Sequence, residues 1–120
     1  MSTKNDDNQS HNEGERLKLE MEPSVIREFK ELPEEIQGQF SNSIHAICHG
    51  MPPLLKIKHL YLSKGLSAIE LIINGSPGYR CVYTTKIKGK IHVVYAREKT
   101  ATGTDKQLID VVSKRLKKLK

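Results

Sequence analysis

The run Gly65-Leu66-Ser67-Ala68-Ile69-Glu70-Leu71-Ile72-Ile73, the turn Asn74-Gly75-Ser76-Pro77-Gly78 and the run Tyr79-Arg80-Cys81-Val82-Tyr83 decide the fold. After Lys88-Gly89-Lys90 they continue as Ile91-His92-Val93-Val94-Tyr95-Ala96-Arg97-Glu98-Lys99-Thr100. Apolar and β-branched residues fill each run and turn chemistry separates them, which predicts an antiparallel meander with strands near 66–73, 79–86 and 90–96. In the first strand Ile69, Leu71 and Ile73 form the core face, opposite Ala68, Glu70 and Ile72. In the last, Ile91, Val93 and Tyr95 oppose His92, Val94 and Ala96. Cations stand at strand ends, an arrangement suited to a phosphodiester backbone.

Upstream of the meander the period changes. Leu17, Leu19 and Met21 alternate with Lys18, Glu20 and Glu22, so a short strand is expected at 17–22, pairing with the sheet. Pro23 ends it, and Ser24 is the expected N-cap of a helix near 24–31 with a stripe of Val25, Ile26, Phe29 and Leu32. Pro33, Glu34 and Glu35 open a second helix near 34–49, whose apolar face is Ile36, Phe40, Ile44 and Ile47. Gly50 suits its C-terminal cap, and Pro52-Pro53 prevents continuation. Residues 54–65 read as a basic connector with room for a short strand. A last helix near 105–118 has Leu108, Val112, Leu116 and Leu119 as its stripe and Thr104 with Gln107 as a capping box.

The charge is uneven. Residues 1–53 hold five Lys/Arg against ten Asp/Glu, a net of −5, and residues 54–120 hold fifteen against four, a net of +11. Such asymmetry points to a polyanionic partner for the second half. Residues 1–15 are almost wholly polar and read as a disordered tail, leaving 16–120 as one domain. Cys48 and Cys81 match no metal spacing and no redox pair, which fits a reducing compartment. No apolar run approaches the ~20 residues that span a bilayer, and the N-terminus lacks a signal-peptide core, so a soluble cytoplasmic protein is expected. His45 and His49 lie one helical turn apart, a metal-compatible spacing, but no third ligand is evident, and helix-surface histidines are the plainer reading. No metal or other cofactor is expected.

The order of strand, two-helix hairpin, three-stranded meander and C-terminal helix resembles the RelE/ParE toxin superfamily of type II toxin–antitoxin systems, nearest its HigB-like, phage-related branch. The resemblance rests on Phe29-x-x-Leu32-Pro33, Lys58-x-Leu60 before Gly65-Leu66, Glu70-Leu71, Tyr79-Arg80-x-x-Tyr83 and Lys99-Thr100, and it covers roughly Leu17 to Leu119. It implies an α+β fold in which the N-terminal strand and helix hairpin pack on a small antiparallel sheet. It also implies metal-independent, ribosome-dependent mRNA cleavage leaving a cyclic phosphate and a 5′-hydroxyl, and a cognate antitoxin, expected to carry a helix-turn-helix.

That chemistry needs a base for the 2′-hydroxyl, cations for the charge building on phosphate, and an acid for the leaving oxygen. By the resemblance Arg80, Arg97 and Lys99 are the cations. Glu70, His92, His59 and a lysine of depressed pKa are the candidate bases. Lys56, Lys58, His59 and Lys64 are the expected RNA contacts. The chain departs from the family pattern at Ile72, Ala96 and Glu98, and its last helix has no tyrosine. The residues also admit plainer parts: Arg80 as a strand-edge charge, Glu70 as an ion-pair partner of Arg80 or Lys99, His92 as a half-buried strand residue, and Tyr79, Tyr83 and Tyr95 as core. A gyrase-inhibiting toxin of the same superfamily and a plain nucleic-acid-binding module are the alternative functions.

Overall fold

The computed structural model describes residues 17–99 and 106–119. The expected polar tail at 1–15, Thr100 and the Thr104 capping residue lie outside them. The elements run β1 (Lys18–Met21), α1 (Pro23–Lys30), α2 (Glu34–Cys48), β2 (Lys56–Tyr61), a 3-10 turn (Ser63–Gly65), β3 (Ser67–Ile73), β4 (Gly78–Thr84), β5 (Lys90–Lys99) and α3 (Lys106–Lys117). The fold is α+β: a five-stranded sheet in the order β1-β5-β4-β3-β2 with helices on both faces.

The meander forms as expected, and β2 extends it by one antiparallel strand, Lys56 pairing with Ile72 and Tyr61 with Ser67. The connector thus contains a full edge strand of six residues. β1 returns to the far side of the sheet through the helix hairpin and pairs with β5 in parallel, Lys18 opposite Lys90 and Met21 opposite Val93.

Local chemistry accounts for the helix ends. Pro23 occupies the first position of α1, where its missing N–H costs nothing, and Glu22 rather than Ser24 is the N-cap. Pro33 caps α2, and Glu34 and Glu35 lie in its first turn. At the joint, Gln37 Nε2 donates to the Leu32 carbonyl at 2.8 Å. α2 ends in a Schellman motif: Gly50 takes φ 79°, its N–H donates to Ile47 O at 3.0 Å, and Met51 N–H donates to Ala46 O at 2.9 Å.

Two apolar clusters hold the layers. Val25, Leu32, Phe40, Ile44 and Ile47 of the hairpin pack on Leu71, Cys81, Tyr83, Ile91 and Val93. Leu108, Val112 and Leu116 of α3 pack on Leu60, Ala68, Val82, Val94 and Tyr95 across the opposite face. Each large apolar side chain fully withdrawn from water contributes roughly 1.5–3 kcal/mol. Ile26, expected in the stripe of α1, is exposed. Ala68 does face away from Ile69 and Leu71, but α3 buries that face as well.

The last strand departs from the expected parity. Val82 pairs with Tyr95 and Tyr83 pairs with Val93, so Val94 is an extra residue in β5, a β-bulge. Beyond it the faces exchange. Ala96 joins Ile91 and Val93 in the hairpin-facing cluster, while Tyr95 joins Val94 under α3.

Candidate functional site

The bulge assembles the site. Without it, Arg97 would share the face of Ile91 and Val93. With it, Arg97 stands directly opposite Arg80, and Lys99 opposite Gly78. In the neighbouring strands Arg80 pairs with Ile72, Glu70 with Val82, and Lys58 with Glu70. One end of the sheet therefore gathers Lys56, Lys58, Glu70, Arg80, Arg97 and Lys99. β5 runs through Lys99, so Arg97 and Lys99 are strand residues held in register rather than parts of a following loop.

Arg80 is not the strand-edge charge that the sequence admits. Its side chain is 11% exposed and Nε lies 3.1 Å from Oε2 of Glu70, itself 1% exposed. Nη1 donates to Tyr79 O at 2.9 Å and to Ile73 O at 3.1 Å. The guanidinium thus crosses the base of the β3–β4 turn and ties its two ends together. Gly78 makes room for it: a Cβ there would lie 3.1 Å from Ile73 O and 3.2 Å from Arg80 Nη1. In this geometry Glu70 acts as the ionic partner of Arg80.

A second cluster centres on Glu28, a residue that no sequence motif singles out. β1 stops at Met21, so among the described residues the outer edge of β5 has no strand partner from Val94 onward. Side chains bond it instead. The Glu28 carboxylate accepts the Ala96 N–H at 3.2 Å, and Arg115 Nη1 donates to Val94 O at 2.8 Å. Arg115 also meets both Glu28 oxygens, at 3.0 and 2.8 Å. Arg97 binds Glu28 Oε2 through Nε and Nη2, each at 2.9 Å. The Arg97 guanidinium lies 5.1 Å from the centroid of the Tyr95 ring. One carboxylate thus joins α1, β5 and α3.

Burial pushes the Glu28 carboxyl up, but bonds from Arg115, Arg97 and the Ala96 N–H outweigh it and hold the group below its ordinary value of 4.5. A depressed carboxylate stabilises the fold above its unfolded pKa, and that contribution is lost as pH falls through the folded value. Urea unfolding of the parent protein should therefore show stability falling below about pH 4.5, and Glu28→Gln should flatten that acid limb while leaving the curve above it parallel to the parent's.

His92 does not join this end of the sheet. It pairs with Thr84, four residues along β4 from Arg80, or about 13 Å at the usual rise. It is buried, and its Nε2 has no hydrogen-bond partner. Lys56, Lys58, His59 and Lys64 are exposed, the first three on β2 and Lys64 in the 3-10 turn. His45 and His49 have ring centroids 4.3 Å apart, and among the described residues no group of three or more His, Cys, Asp or Glu could hold a metal ion. A cleft of about 300 Å³ beside Arg97 is lined by Glu28, Leu32, Pro33, Tyr79 and Glu98 among others. Cys48 and Cys81 are both buried, and no disulfide joins them. No helix among the described residues is long and apolar enough to cross a membrane.

An α+β domain with a cationic sheet end closed by a C-terminal helix is the class that this geometry defines. The family profile of Phage derived protein Gp49-like (DUF891) matches residues 27–117, and the chain belongs to that family. The family is associated with RelE/HigB-like toxins, and its link to toxin–antitoxin systems implies an antitoxin partner. No curated protein and no solved structure matches the chain.

Proposed function

We propose that the protein is the toxin of a type II toxin–antitoxin pair, of the HigB-like branch, and that it cleaves mRNA on the ribosome in the cytoplasm without a metal. The observation that carries this reading is the bulge-set juxtaposition of Arg97 and Arg80 across β5 and β4, with Lys99 two residues on and Lys56 and Lys58 on the adjoining edge strand. Arg97 and Lys99 contact the scissile phosphate, where cations stabilise the charge that builds as the 2′-hydroxyl attacks. The buried Glu70–Arg80 pair braces the β3–β4 turn and the strand β4 against which Arg97 and Lys99 are paired.

Induced expression followed by primer extension on cellular mRNA tests the reading. Discrete cuts should appear with the parent and be suppressed by the antitoxin. Arg97→Ala and Lys99→Ala should each lower cleavage by roughly 10²–10³-fold, the usual loss for one transition-state contact, each measured beside the variant's melting temperature. One observation favours a second reading, a toxin of the gyrase-inhibiting type: Arg80 Nε and Nη1, and Arg97 Nε and Nη2, are engaged within the protein. Growth arrest with intact mRNA and a DNA-damage response would establish that reading and overturn the first.

A further inference from the structure

The outer strand β2 carries, besides Lys56 and Lys58, a ring-bearing face that the proposed chemistry does not use. Tyr61 is 83% exposed, more than any other large apolar side chain among the described residues. Two residues earlier on the same face stands His59. The two rings lie near-parallel, 18° apart with centroids at 6.2 Å. A shallow cleft of about 100 Å³ runs from this pair past Ser67 and Ile69 to Thr85 and Lys86. Lys56 and Lys58 are exposed on the other face of the strand, and Lys86 is exposed across the cleft.

We infer that the β2 edge binds single-stranded nucleic acid, with the His59–Tyr61 ring pair as a base-stacking platform and Lys56, Lys58 and Lys86 as phosphate contacts. Each part answers a property of that ligand. A strand places alternate side chains on one face, so the two rings present neighbouring π surfaces. Every base has a π face, so such a platform is tolerant of sequence. The flanking cations neutralise phosphates along the track. A protein strand added to the same edge fits less well, because lysines on an edge strand oppose strand pairing. The biological setting of this surface rests on the RNA-directed reading above, whereas the binding itself rests on the edge.

The test is fluorescence anisotropy of a labelled 2′-O-methyl uridine decamer, which lacks the free 2′-hydroxyl and cannot be cut by the proposed chemistry. Tyr61→Ala should weaken binding by roughly 5- to 100-fold, the range expected for loss of one stacked base, with the salt dependence unchanged. Tyr61→Phe should bind like the parent. Lys56→Ala and Lys58→Ala should each reduce the slope of log affinity against log salt by about 0.7, the single-strand value per neutralised phosphate. Tyr61 is exposed, so these outcomes do not depend on a refolded core.

Parent-like decamer binding by Tyr61→Ala overturns the inference. If that variant instead weakens only the complex with the antitoxin, the edge belongs to a protein partner and the inference is again overturned. The two readings separate cleanly: Tyr61-dependent decamer binding with intact mRNA supports this surface and sinks the nuclease, and mRNA cleavage with Tyr61-independent binding does the reverse.

Discussion

Arg80→Ala is expected to destabilise the protein by about 3–5 kcal/mol, the usual cost of removing one partner from a buried ion pair. For a domain of this size that corresponds to a fall in Tm of roughly 15–30 °C. The cause is Glu70, which is 1% exposed and loses its ionic partner at 3.1 Å when the guanidinium is removed. The Tyr79 and Ile73 carbonyls lose their donor as well. Replacing both partners with apolar residues of similar volume, Glu70→Leu with Arg80→Met, should recover much of the loss, because the buried carboxylate is removed together with the guanidinium. Urea unfolding followed by circular dichroism measures all three proteins. An Arg80→Ala variant as stable as the parent would contradict the buried pair. The expected destabilisation makes loss of toxicity in Arg80→Ala alone uninformative about catalysis.

Removing the Glu28 carboxylate should cost a comparable amount. Glu28→Ala leaves Arg115 and Arg97 facing each other without their common anion and strips the Ala96 N–H of its acceptor. A loss of about 3–5 kcal/mol is expected, whereas Glu28→Gln, which keeps the shape and part of the hydrogen bonding, should lose roughly 1–3 kcal/mol. Amide exchange discriminates this from a general loosening. In Glu28→Ala the Ala96 amide should exchange far faster than the paired amides of β3 and β4. Uniform acceleration across the sheet would mean that the carboxylate does not hold the β5 edge in particular.

Much of the fold is legible in local signals. Ile36, Phe40, Ile44 and Ile47 announce α2, Pro33 its start and Gly50 its end, and the turns at Asn74–Gly78 and Lys88–Lys90 delimit the meander. The strand at Lys56–Tyr61 is harder to read, because its apolar residues, Ile57 and Leu60, are three apart and face different clusters. The β-bulge is invisible in sequence, since Val93-Val94-Tyr95 reads as an ordinary strand, and only pairing with Val82 and Tyr83 reveals the extra residue.

The site shows the same division. Register places Glu70, Arg80, Arg97 and Lys99 at one end of the sheet, as the turn lengths imply. Burial cannot be read from them, because the carbonyls and carboxylate that engage Arg80 converge only once the turn has closed. Glu28 lies outside the expected apolar stripe of α1, and its partners are 68 to 87 residues away in sequence. Arg115 is, in sequence, one of several cations near a helix C-terminus. A bare strand edge beyond Met21 is the missing signal, and it arises from β1 being four residues long.

Those long separations also bear on when the domain comes together. β2, β3 and β4 each pair with the next strand in sequence, so β2 to β5 can associate as they emerge during synthesis. β1 must wait for β5, and Glu28 must wait for an arginine 87 residues later. Closing loops of that span costs chain entropy before any contact offsets it, so such contacts form late. The bond between α1 and α3 is therefore withheld until Arg115 has emerged. A growing chain is thus an unfinished sheet, and the Glu28 clasp closes only after all five strands are made.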